Sequence, residues 1–460
     1  MEQTVDPQLD KKITPWFLFS FSVPTIISMV VVGVSGLVDG IFAARFIDAY
    51  ALSAVGLVSP FIMFAMSIGF MLGIGGNALV AKEVGEGRVE HARKDLSLLT
   101  IASFLAIVAV TIIGFIIPDT ILWILGVDSY VHEIALGYMM PLLPFLPLGG
   151  LGIVLQQFLI TEGKAHYGMI ASILQGLASA ALNYVFIYQM HMGIRGAAIA
   201  TGIGFTIPAF VGVAFFIFNR FNKRGILYFV VPKFKAFVIA RSSINGVSEM
   251  IGMMSAAITQ LTVNNVLMDL DGPMAVAAAG IILAGSGLAL NVFIGFVSGI
   301  SPIISYNYGK GDDGNIKKLF SYSIVIIVCL ALGMTALAFG FIDFFIQLYD
   351  IDPFIYVGTF LLSLPVYDMS FTGLRVVAVT FAIASVNIFA STFFTAFGDG
   401  IKSGFIAVCN GLVFIIGFTF LFANRWGVDG VWIAMPARDI LTLGVAVFLL
   451  WKYRKVYKYA

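Results

Sequence analysis

Nearly continuous apolar segments of about 20 residues follow one another along the whole 460-residue chain, separated by short polar connections. A soluble domain carries about 25% charged residues, whereas here 11% are charged and 60% are hydrophobic. That balance leaves too little polar surface to cover the apolar material in water. The chain reads as an all-α membrane protein with twelve transmembrane helices. The spans are expected near 14–42, 51–81, 96–117, 133–158, 168–189, 196–219, 242–267, 275–306, 319–341, 370–396, 404–422 and 430–451.

Basic residues set the orientation. Alternate connections, from Lys11 and Lys12 through the Arg220–Arg241 stretch to Lys452–Lys458, collect 21 of the 26 Lys and Arg. Positive charge stays on the cytoplasmic side, so both termini are expected there, in a multi-pass protein of the cell membrane. No cleavable signal peptide is expected, because the first apolar segment is too long for one.

The longest basic connection, 220–241, falls near the middle and divides the chain into an N-lobe (1–219, spans 1–6) and a C-lobe (242–460, spans 7–12). An internal repeat supports the division. NALVAKEVGEG (77–87) follows span 2, and PIISYNYGKG (302–311) follows span 8. FLITEGK (158–164) is matched by FFTAFGD (393–399), and GIRGAAIA (193–200) by GVDGVWIA (427–434). Both halves begin on the same side, so the repeats are parallel, related by an axis along the membrane normal. The second half is longer between its landmarks, and the excess around 354–364, bounded by Pro353 and Pro365, is expected to form a short re-entrant or interfacial helix.

Ionisable side chains inside such spans are costly and mark function. Asp39 lies near the far end of the glycine-rich first span, on one helical face with Ser28, Val32 and Ser35. Glu249 lies in span 7, on a face with Asn245, Gly252, Ala256 and Gln260. Arg438 and Asp439 are adjacent, so they point different ways around their helix, and a structural role is expected for them. Arg375 is expected to anchor the outer end of span 10. Gly-rich runs such as Gly73–Asn77 precede no Lys-Ser/Thr and are no phosphate loop; they suit close helix approach. The four His fall at span ends without metal-ligand spacing, and Cys329 and Cys409 sit in apolar segments, so neither a metal site nor a disulfide framework is expected. No basic patch interleaved with aromatics points to nucleic acid.

Several of these landmarks resemble the MATE family, the multidrug and toxic compound extrusion transporters. Pro24 and Asp39, SGISPIISYNYG (298–309) and GIRGAAIAT (193–201) carry the resemblance, and LRVVAVTFAIASVNIFASTFFTAFG (374–398) looks like the MepA-like branch. The resemblance spans all twelve helices. It implies two six-helix lobes and export of amphipathic compounds driven by a proton or sodium gradient. It also implies a cation-coupling cluster of Asp39, Tyr138, Ser179, Asn183 and Thr201, with Pro24 as the hinge of the first helix. Glu249 looks like the seventh-span glutamate of the NorM-like members. Where many members carry an aspartate in span 5, this chain reads Leu182-Asn183-Tyr184. An asparagine carbonyl can coordinate sodium together with Asp39, but it cannot take up a proton. Asp39 is then the cluster's one titratable group, and losing the second carboxylate removes a hard oxygen ligand that sodium would use, which favours protons over sodium.

The expectation is therefore a monomeric secondary transporter with no enzyme activity and no cofactor beyond its coupling ion. Its partners are the bilayer and amphipathic, cationic small molecules. Met and Phe, 18 and 43 in number, suit a pliable apolar wall. The rival reading within the superfamily is a lipid-linked oligosaccharide flippase, which needs several basic residues inside the spans where this chain has Arg375 and Arg438. The rival from another class is an intramembrane enzyme, which needs a carboxylate dyad where Asp39 and Glu249 fall in opposite lobes.

Overall fold

The computed structural model describes residues 8–46, 49–127, 129–222, 225–347 and 360–459, without the side chains of 39–41, 43–46, 49–52, 129–130, 273 and 360–365. Among the described residues every regular element is helical. The first half contains α1 (Pro15–Phe46), α2 (Ala49–Gly85), α3 (Val89–Ile116), α4 (Pro118–Ile124), α5 (Ser129–Leu142), α6 (Leu146–Thr161), α7 (Ala165–Asn183) and α8 (Gly193–Asn222). The second contains α9 (Ala236–Asp271), α10 (Pro273–Lys310), α11 (Asp313–Gln347), α12 (Phe360–Ala378), α13 (Phe381–Ala396), α14 (Gly400–Val408) and α15 (Ile415–Tyr457).

Nine described segments are long and apolar enough to cross a membrane, and α12 with α13 makes a tenth, bent by 53°. The apolar run Gly400–Tyr457 holds two spans, because Gly427 breaks the helix with a backbone φ of 59°. Helix α9 has the length of a span, but Asn245, Ser248, Glu249, Gln260 and Asn264 dilute its apolar character. With these, twelve membrane-crossing segments are accounted for. Span 4 is interrupted: Pro141, Pro144 and Pro147 remove backbone donors, and a 3₁₀ turn at Leu143–Phe145 joins α5 to α6. The stretch at 354–364 lies outside the described residues apart from the helical backbone that starts at Phe360.

Three glycine pairs record the repeat in the backbone. Gly87 and Gly311 have φ of 78° and 75°, Gly163 and Gly398 have 75° and 82°, and Gly193 and Gly427 have 58° and 59°. These are left-handed conformations that other residues adopt only with strain, so the same turns recur at the same landmarks. Packing repeats as well. Helix α1 lies on α7 and α2 on α6 in one lobe, as α9 lies on α14 and α10 on α13 in the other.

The lobes meet along α1 and α2 on one side and α9 and α10 on the other. At the end of the bundle that carries the α8–α9 connection, this seam is closed by backbone-to-backbone contact. A Cβ on Gly295 would stand 2.6 Å from Ile26 Cα, and one on Gly299 2.9 Å from Ser22 Cα. Side chains on Gly75, Gly246, Gly85 and Gly309 would meet the main chain of Ser242, Met71, Tyr306 and Lys82 across the seam. Toward the opposite end, Gly36, Gly56, Gly252, Gly280 and Gly287 on the same four helices have no described atom within 4 Å of a Cβ. The four helices are zipped backbone to backbone at one end; further along, Gly33 of α1 still meets the Asn291 side chain of α10, and beyond it these glycines face open space.

Candidate functional site

The first lobe gathers polar side chains where α1, α7 and α8 converge. Ser35 Oγ stands 2.6 Å from where a Cβ on Gly176 would sit, so α1 and α7 touch at that level. Asp39 follows Ser35 by one helical turn, and Ser179 and Asn183 follow Gly176 by one and two. The Asp39 backbone is therefore level with that part of α7, while its side chain lies outside those described. Ser179 Cβ also stands 3.4 Å from a Cβ position on Gly204 of α8. Thr201, one turn back along α8, then comes level with Asn183. Ser179, Asn183 and Thr201 are all buried, and Asn183 is 1% exposed.

Tyr138 is buried on α5, whose Gly137 abuts Ile194 and Arg195 in the first turn of α8. Tyr138, Ser179, Asn183 and Thr201 all make polar or ring contacts. Directly after Asn183 the helix widens into a π turn, Tyr184–Gln189. Such turns are rare and gather at functional sites, and the apolar sequence there does not announce it. The second lobe has a π turn in its corresponding span, Cys409–Phe414. It comes 11 residues after Gly398, against 21 after Gly163, so the repeat is broken at this depth.

Pro24 sits inside α1, and Ser28 Oγ donates to the Pro24 carbonyl at 2.9 Å. A proline removes one rung of the helix and a serine back-bond weakens its neighbourhood, so the bend expected here has its local chemistry in place.

Glu249 occupies a different setting. It is half-buried on α9, with no hydrogen bond or ion pair to a described residue. One turn below, Asn245 Nδ2 donates to the Gly75 carbonyl of the first lobe at 3.2 Å and to the Thr395 carbonyl of its own lobe at 3.0 Å. One turn above, Gly252 faces open space. Glu249 therefore stands just above the zipped part of the seam, with open space one turn further along α9. The site residues expected from the sequence thus fall into two groups: Ser179, Asn183, Thr201 and the Asp39 turn in the first lobe, and Glu249 at the seam.

The second lobe holds a polar cluster that sequence reading did not assemble. Asp439 is 3% exposed and paired with Arg438 at 3.1 Å. Asn410 Nδ2 donates to its carboxylate at 3.2 Å, and Asn387 Nδ2 to its backbone carbonyl at 2.9 Å. These residues lie on three elements far apart in sequence, and only the fold brings them together. The paired Asp439 fits the structural role expected for it. Arg375 stacks over the Phe371 ring at 3.9 Å.

Outside the spans, Glu162 reaches back to the α8–α9 connection. Its two carboxylate oxygens accept from Ile226 N at 2.9 Å and Leu227 N at 2.7 Å. Burial pushes this carboxyl up to about 7, against the pull of those two backbone donors and of Lys164 and Arg93. Among the described residues no cluster of His, Cys, Asp and Glu has the makings of a metal site.

The MatE family model matches residues 24–185 and 250–421. The multidrug export protein MepA of Staphylococcus haemolyticus is 23% identical over 442 residues, covering 95% of this chain and 93% of that protein. MepA of Staphylococcus aureus (strain MRSA252) is 22% identical over 441 residues, covering 94% and 93%. Among solved structures, a MATE crystallised with MaL6 superposes with a TM-score of 0.90 at 21% identity, covering 98% of this chain and 99% of that one. The outward-facing conformation of a multidrug resistance MATE family transporter superposes with a TM-score of 0.87 at 21% identity, covering 98% of each chain.

Proposed function

The chain belongs to the MatE family, and from that membership we propose that it is a monomeric multidrug antiporter of the cell membrane, its termini in the cytoplasm. It exports amphipathic, cationic compounds and takes in protons, with sodium as the competing ion. The observation that supports the reading is the seam of α1, α2, α9 and α10, zipped by glycines at one end and without such contacts at Gly36, Gly56, Gly252, Gly280 and Gly287 toward the other. We read the unzipped end as the mouth of a binding chamber, which would be one of the two states that alternating access requires.

Coupling needs drug and ion to favour different states. Asp39 is the proposed carrier of the coupling proton, on the turn of α1 level with Ser179 and Asn183. Proton uptake neutralises it, its helix repacks about Pro24, and the chamber loses its hold on a cation. Asn183 offers a carbonyl but no second ionisable carboxylate, which supports protons over sodium. Glu249 is the proposed second participant, placed where a substrate cation entering the seam would meet it.

The flippase reading has less support, because only Arg375 and Arg438 are basic inside the spans and Arg438 is already paired with Asp439.

The test is drug accumulation in cells expressing wild type or Asp39→Asn. The variant, produced in equal amount in the membrane, is expected to accumulate drug like cells without the transporter. Export equal to wild type would overturn the role given to Asp39.

A further inference from the structure

The connection between α8 and α9 has two unlike edges. Its inner edge is stitched to the first lobe. Glu162 accepts from the Ile226 and Leu227 amides, Arg93 Nε donates to the Ile226 carbonyl at 2.7 Å, and Val230 N donates to Ser97 Oγ at 3.0 Å. Arg93 also lies over the Tyr228 ring at 4.0 Å, and Lys235 pairs with the buried Asp95 at 3.8 Å. These bonds fix which side of the segment faces away from the protein.

That other side is apolar and basic together. Phe221 is 80% exposed, Val231 79%, Phe234 80% and Phe237 73%. Arg220 and Lys233 are exposed on the same connection, and no acidic residue occurs anywhere from Arg220 to Arg241. The carboxylates packed nearest, Glu83, Asp95 and Glu162, are all buried behind the segment. Large exposed apolar side chains in a cluster mark a surface that meets something. Here the cluster stands where spans 6 and 7 leave the membrane, at the depth of lipid headgroups, a placement that rests on the membrane reading above.

We propose that the α8–α9 connection is an interfacial anchor: Val231, Phe234 and Phe237 enter the headgroup layer of the adjacent leaflet, and Arg220 and Lys233 hold anionic phospholipid headgroups. Aromatic and aliphatic side chains supply the apolar attachment, and the basic residues supply preference for negatively charged lipid. A zwitterionic surface satisfies the first and not the second. Since the inner edge is bonded to the first lobe, the anchor ties that lobe to the membrane plane.

The test uses the full chain with Cys329 and Cys409 replaced by Ser and Val231→Cys carrying an NBD fluorophore. It is reconstituted in nanodiscs of phosphatidylcholine alone or mixed with phosphatidylglycerol. The expected result is blue-shifted emission, quenched by headgroup-level nitroxide lipid, stronger with phosphatidylglycerol and weakened by salt. Adding Arg220→Gln and Lys233→Gln, which leave the stitched edge intact, is expected to lower the phosphatidylglycerol preference roughly fivefold per charge removed. Water-like emission in both mixtures would overturn the proposal. So would a signal indifferent to phosphatidylglycerol and salt, or a preference unchanged in the double variant. No substrate or gradient enters the measurement, so its failure leaves the transport reading untouched, and a failure of transport leaves the anchor untouched.

Discussion

Asn183 is buried beside Ser179 and Thr201, one carboxylate oxygen short of a second acid. Asn183→Asp therefore adds a hard, ionisable ligand to a cluster already facing the Asp39 turn. Drug transport by this variant is expected to become sodium-stimulated at constant pH, read in proteoliposomes. An unchanged response to sodium would mean that Asn183 does not face the ion.

Glu162 gives a second prediction at this scale. Its folded pKa stands above the ordinary 4.5, at about 7. The stability it contributes is therefore complete below about 4.5 and lost as pH rises through about 7. Thermal melts of wild type between about pH 5 and about pH 8 are expected to carry this fall, and those of Glu162→Gln to lack it. Parallel profiles would remove the carboxyl from the account. Asp39 and Glu249 were legible in the sequence because an acid within an apolar span has few innocent explanations. Glu162 was not, since beside Gly163 and Lys164 it looks like any loop carboxylate, and its partners lie more than 60 residues away.

Among the elements, the seam depends on glycine. Gly246 of α9 and Gly309 of α10 leave no room for a side chain against the Met71 and Lys82 backbone. Overpacking of this kind costs about 1–3 kcal/mol, which shifts a two-state equilibrium by roughly 5- to 150-fold. Gly246→Val is expected to weaken closure at that end and slow transport. The check is reaction of Ala78→Cys, in a chain without its native cysteines, with a membrane-impermeant thiol reagent. Labelling no faster than with Gly246 intact would contradict the role of the seam.

The number of spans and their connections could be read from apolar runs and paired glycines, because length and turn chemistry are local. The bends could not. The break between α12 and α13, the 3₁₀ turn in span 4 and the π turn after Asn183 depend on how each helix is held by its neighbours. Proline flags only the span 4 turn.

For the molecule as a whole, the two lobes meet along a seam zipped at the basic end, and the proposed transport cycle places Glu249 just above that seal and the Asp39 turn in the wall of the first lobe. Closure of one mouth at a time is what separates a transporter from a channel, and a change of charge inside the chamber is what ties the motion to a gradient. The two-lobe plan was visible in the repeat, whereas the state in which the lobes sit was not, because it is set by contacts between residues far apart in the chain, such as Ser22 and Gly299, 277 positions apart.

The measurement that bears most directly on this account is drug transport in proteoliposomes with a proton gradient or a sodium gradient imposed alone. The proton gradient alone is expected to suffice for wild type and to drive nothing in Asp39→Asn. A strict need for sodium at constant pH, or transport undiminished in the variant, would contradict it.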